Sequence, residues 1–95
     1  MASPSSAETS EVAILSRVIR PDEDDLPAAA ARAILKIDFE EKDRRRMNEL
    51  ARKARAGTLT RKEREAIDNY DRVGHVLALM HSKARRALKK RRDGA

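Results

Sequence analysis

Ninety-five residues, 40% of them charged and 2% aromatic, leave room for one small domain with a thin apolar core, since many of the hydrophobic residues are alanine. A chain this short buries a modest share of its surface, which argues against a deep catalytic cleft and for a partner subunit that supplies stability. Three glycines, three prolines and two aromatic residues support neither a β-sandwich nor a Gly-rich phosphate loop, so helix is the default that remains.

The absence of cysteine removes a disulfide framework, a thiol nucleophile and a thiolate zinc site together, and fits a reducing cytoplasm. The longest strongly apolar stretch, Val76-Leu77-Ala78-Leu79-Met80, is too short to cross a membrane. The net charge of +6 conceals an asymmetry. Residues 1–43 carry five basic and ten acidic side chains, whereas residues 44–95 carry seventeen basic and six acidic ones. Such polarity suits head-to-tail self-contact, or a basic end presented to nucleic acid or to an acidic protein surface.

Residues 1–9 are rich in Ser and Ala with no basic or apolar signal-peptide region, and read as a disordered leader. Ser10 is placed to cap a first helix that shows Val12, Leu15, Val18 and Ile19 on one face and stops before Pro21, although the β-branched density there leaves a strand open. An acidic turn, Pro21-Asp22-Glu23-Asp24-Asp25, leads through Pro27 into a second helix over 28–37, whose alanines suit close packing. Asp38 with Glu41 fits the N-terminus of a third helix that runs to Ala56 and stops at Gly57. Thr60-Arg61-Lys62-Glu63 is a capping box, so a fourth helix starts at about Arg61.

The fourth helix carries the clearest periodicity. Ala66, Tyr70, Val73, Leu77, Met80, Ala84 and Ala87 recur at alternating spacings of four and three, a heptad seam. The expected fold is all-α: two short N-terminal helices, then an antiparallel helical hairpin with a long, heptad-patterned C-terminal helix. One domain over 10–90 is expected, followed by a basic, disordered tail at 91–95.

Catalysis finds little support. The Gly57 region mimics part of an EF-hand loop, but the required ligand positions fall on Arg52, Ala54 and Ala56, which excludes calcium. His75 and His81 are six apart, about 240° around a helix, and cannot share a metal within it. Asp71 with His75 reads as a surface hydrogen bond, and His81 as a partly buried structural histidine. No catalytic residue, metal site or cofactor is assigned. The seam residues Tyr70, Val73, Leu77, Met80 and Ala84 are the candidate interface for a second copy of the chain or another protein. The acidic turn and the Arg44–Arg46 cluster are candidate contacts to charged surfaces. The alternative is nonspecific phosphate contact through Arg85, Arg86, Lys89, Lys90, Arg91 and Arg92, without aromatic platforms for base stacking.

Ile14-Leu15-Ser16-Arg17-Val18-Ile19 before an acidic turn, Ile37-Asp38-Phe39, Ala56-Gly57-Thr58-Leu59-Thr60 with Glu63 and Glu65, Tyr70-Asp71-Arg72-Val73-Gly74-His75 and Ser82-Lys83-Ala84-Arg85 together carry a resemblance. Over about residues 12–90 the chain resembles a group of small uncharacterised bacterial proteins often encoded beside HNH-type endonucleases. The resemblance implies an antitoxin-like or accessory partner of a nuclease. Arg61 and Lys62 make the start of the fourth helix more basic than in that group.

Overall fold

Ser10 sets the first helix: its hydroxyl accepts the Ala13 N–H at 3.1 Å, satisfying one of the donors a helix start leaves open. In the computed structural model, which describes residues 8–23 and 25–94 and their side chains as far as residue 89, the Val12–Ile14 stretch is thereby helical. Helix α1 (Glu11–Ile19) ends at Arg20, which takes the left-handed conformation with φ 52° because Pro21 forbids continuation. For a residue with a Cβ that conformation costs about 1–2 kcal/mol.

Helix α2 (Ala28–Leu35) begins after Pro27, whose missing N–H is not needed there, and has no side-chain cap. It stops two residues short of the expected Ile37. The exit tightens into three-residue turns, with Lys36 N–H on Ala33 O and Ile37 N–H on Ile34 O.

Helix α3 (Glu41–Ala56) has Glu40 rather than Asp38 at its N-cap position, without a side-chain capping bond, a correction to the sequence reading. The Asp38 carboxylate is held instead by the adjacent Phe39 N–H at 2.8 Å and by Arg44 at 2.9 Å, which keeps it from reaching the helix start. At the other end Gly57, with φ 71°, closes a Schellman motif: Thr58 N–H reaches Lys53 O and Gly57 N–H reaches Ala54 O. Helix α4 (Arg61–Gly94) then runs for 34 residues. It continues through the stretch expected to be a disordered tail, because straight-chain Lys and Arg are good helix formers and cations favour a helix C-terminus.

The chain divides into two compact units: residues 38–74, and residues 1–37 with 75–95. In the 38–74 unit, contacts between α3 and the first part of α4 widen in sequence away from the link. Lys53 meets Glu63, Asp43 meets Tyr70, and Phe39 approaches Gly74, so the two helices run antiparallel. Leu50 is its one fully buried large side chain among the described residues.

The other unit is centred on alanine. Ala31 of α2 and Ala84 and Ala87 of α4 are fully buried, with Leu26, Ile34, Leu35 and Leu88 packed around them. Side chains of one carbon bring the helix backbones close and leave no room for growth. Ala84→Leu is therefore expected to destabilise the fold by about 1–3 kcal/mol, measured as a lower urea midpoint at unchanged slope.

Candidate functional site

Within the 38–74 unit the most elaborate polar arrangement surrounds Glu63, which keeps 7% of its surface exposed. Its Oε1 accepts the Thr60 N–H at 2.9 Å, while its own N–H donates to Thr60 Oγ1 at 3.1 Å, the reciprocal bonds of a capping box. Lys53 Nζ donates to Oε2 at 2.6 Å, and Arg46 lies 3.9 Å from the same oxygen while also binding Glu49 at 2.8 Å. The Lys53 ammonium, followed by the Thr60 N–H, lowers the Glu63 pKa from 4.5 to about 2 against the opposing effect of burial. Arg46, expected with Arg44 and Arg45 to face a charged surface, is turned into this network.

Tyr70 sits one step further along. Its ring meets Phe39 edge-on, with centroids 5.9 Å apart, and its hydroxyl donates to Asp43 Oδ1 at 2.7 Å. That bond, reinforced by burial, holds the phenol pKa above its usual value. Shallow grooves lie on both sides of the ring. One, of about 430 Å³, is bordered by Phe39, Asp43, Ala66, Asn69 and Val73; the other, of about 410 Å³, by Met47, Leu50, Ala51, Ala54, Ile67 and Asp71. Neither groove collects the paired acid, base and nucleophile that a reaction requires.

In the other unit α1 has no buried residue, yet Val12 is 51%, Ile14 43% and Val18 73% exposed. No residue of α1 belongs to the alanine-centred cluster. Leu15 and Ile19 of α1 are half-buried, and a polar clasp is added at its end: Lys83, with its side chain 14% exposed, donates to Ile19 O at 2.8 Å and pairs with Asp25 at 2.9 Å. The ammonium caps the negative end of α1 while its ion pair lowers the Asp25 pKa. The inward role of Lys83 carries no local signature in the sequence.

The heptad seam is largely consumed inside the chain. Ala84, expected at an interface between chains, is fully buried against α2, and Tyr70 is packed on α3. Small residues at seam positions suit the chain's own helices. Leu77 and Met80 are half-buried, and Val73 is the seam candidate left open, at 50% exposure. Arg85, Arg86 and Lys89 are exposed, whereas the side chains of Lys90, Arg91 and Arg92 lie outside the described residues, as does the leader over 1–7.

His81 is structural as expected, its Nε2 donating to Ile37 O at 2.6 Å. The His75 ring is half-buried, with a shielded Nε2 that has no partner among the described residues. Among those residues no three His, Cys, Asp or Glu side chains gather around a possible metal position, and no helix is long and apolar enough to cross a membrane. Comparison with protein-family models, curated proteins and solved structures finds no match to this chain.

Two expectations test these contacts. Because the Glu63 pKa is lower folded than unfolded, its contribution to stability is complete above pH 4.5 and is lost as pH falls toward about 2. Glu63→Gln should lower stability at neutral pH and flatten its decline between those limits, read from urea melts at stepped pH. Lys83→Met should accelerate hydrogen exchange in the α1 amides while the helical signal of the rest is kept; unchanged protection of α1 would show that this clasp does not hold it.

Proposed function

We propose that the chain is a non-enzymatic helical protein-interaction module that self-associates or docks on a protein partner. In the setting implied by the family resemblance, it serves as an antitoxin-like or accessory subunit of a nuclease. The observation that carries the reading is α1, a nine-residue helix with no buried residue that leaves Ile14 and Val18, four apart on one side, 43% and 73% exposed. Apolar area left in water forgoes about 25 cal/mol per Å², and a grouped patch of this kind marks a contact surface.

Self-association fits this surface directly. Glu11, Ile14, Arg17 and Val18 are all exposed at spacings of three, three and one, on one side of the helix. Two copies of α1 crossing antiparallel about Ile14 set Glu11 of each opposite Arg17 of the other, the self-complementary pattern of a two-fold interface. The second reading, nonspecific nucleic-acid binding, is favoured by Arg85, Arg86 and Lys89, which are exposed and have no ion pair among the described residues. It predicts binding that weakens steeply with salt.

Light scattering tests the first. Without nucleic acid the expected mass is a multiple of 10.7 kDa, and Ile14→Asp with Val18→Asp is expected to reduce it to the monomer without loss of helical circular dichroism. Should the wild-type chain be monomeric and fail to bind a purified HNH-type endonuclease, the interaction reading falls.

A further inference from the structure

The outward charge of the 38–74 unit differs from what its sequence suggests. Residues 42–64 hold ten basic and three acidic side chains, and the fold engages all three acids with internal partners. Asp43 accepts the Tyr70 hydroxyl, Glu49 pairs with Arg46, and Glu63 takes Lys53 and the start of α4. Lys53 and Arg46 are engaged with them, and the other eight cations are exposed.

Several of these are tied to carboxylates from outside the stretch: Lys42 to Glu40, Arg44 to Asp38, Arg45 to Glu41, and Arg61 to Glu65 at the long distance of 4.0 Å. Arg52, Arg55, Lys62 and Arg64 are exposed and have no ion pair among the described residues. All four lie at the closed end of the α3–α4 pair, on either side of the four-residue link 57–60. Arg61 stands beside them with its side chain 95% exposed.

Arg52 and Arg55 alone have an ordinary explanation, because cations suit the last turns of α3. Lys62 and Arg64 do not. They occupy the first turn of α4, where the helix dipole is positive and cations are disfavoured. Like charges crowded at a position that opposes them reduce stability, so local folding preference does not account for them. An anionic partner does.

We propose that this closed end, through Arg52, Arg55, Lys62 and Arg64, grips the phosphate backbone of duplex nucleic acid without reading sequence. An acidic protein surface is the competing polyanion, but protein interfaces are organised about a buried apolar or aromatic anchor. Between these cations lie Ala56, Gly57 and Thr58, small or hydroxyl-bearing and exposed, which offer no anchor and match the Arg, Lys and Ser/Thr set that contacts phosphates. No aromatic side chain stands among them to stack an unpaired base, which favours a duplex over a single strand. The proposal uses no residue of α1 or of the Arg85–Lys89 stretch, so it stands or falls independently of the protein-docking reading.

The test is fluorescence anisotropy of a short mixed-sequence DNA duplex titrated with the full chain over a series of salt concentrations. The expected result is that R52Q/R55Q/K62Q/R64Q weakens binding at least about tenfold at low salt and lowers the salt slope by about one per contact removed. R85Q/R86Q/K89Q should retain the slope contributed by the closed end. If the fourfold variant loses helical signal, K62Q/R64Q carries the test, since it removes cations that the dipole disfavours. Three results overturn the proposal: no duplex binding by the wild-type chain, binding unchanged in the closed-end variants, or retention of polyglutamate through these residues with duplex DNA ignored.

Discussion

Glu63 is the one charged side chain that the described residues bury, and the course of the chain through α3 and α4 depends on it. A carboxylate taken out of water is costly unless its lone pairs are satisfied, and here Lys53, Arg46 and the Thr60 N–H all converge on it. Each contact specifies something different. The Thr60 bond fixes where α4 begins, and the Lys53 bond sets which turn of α3 lies against that beginning. A slip of one residue in α3 would turn Lys53 away by about 100° and leave the carboxylate without its cation. Registry of the pair thus rests on polar bonds as much as on Leu50, its one large side chain removed from water. The same bonds withdraw the Glu63 carboxylate from water together with part of Lys53 and Arg46.

The unit formed by residues 1–37 and 75–95 solves its packing differently. Ala31, Ala84 and Ala87 draw α2 and α4 together, and the aliphatic side chains around them close the contact. Helix α1 has no share in that cluster and is held at its C-terminal end by Lys83, which meets a helix carbonyl and the Asp25 carboxylate together. The ammonium fixes the end of the helix, Leu15 and Ile19 are half-buried, and Val12, Ile14 and Val18 stay exposed.

Local signals were legible and long-range ones were not. Ser10, Gly57 and the Thr60–Glu63 capping box announce helix ends because their chemistry acts over three or four residues, and α1, α3 and α4 begin or end on them. Asp38 misled because its sequence neighbours fit a cap while Arg44 competes for its carboxylate. The heptad spacing in α4 correctly marks the face that meets other helices, but periodicity does not say whose helices these are. Ala84 answers to Ala31 of its own chain, fifty-three positions earlier, and no spacing rule reveals such a match. Division into two units was equally hidden, since α4 passes from one to the other as an unbroken helix.

The two parts of the surface that stand out do so for opposite physical reasons. Along α1, apolar side chains lie in water where burial would stabilise them; at the closed end of α3 and α4, cations stand where the helix dipole repels them. Neither feature is what folding stability alone would favour. A chain with four buried hydrophobic residues among those described, three of them alanine, has little stability to spare for such placements. Features that oppose folding in so small a protein are best accounted for by what binds there: an apolar surface for α1 and a polyanion for the closed end. If both are engaged at once, binding of each partner adds to the stability of the fold, and the free chain is the least stable form it adopts.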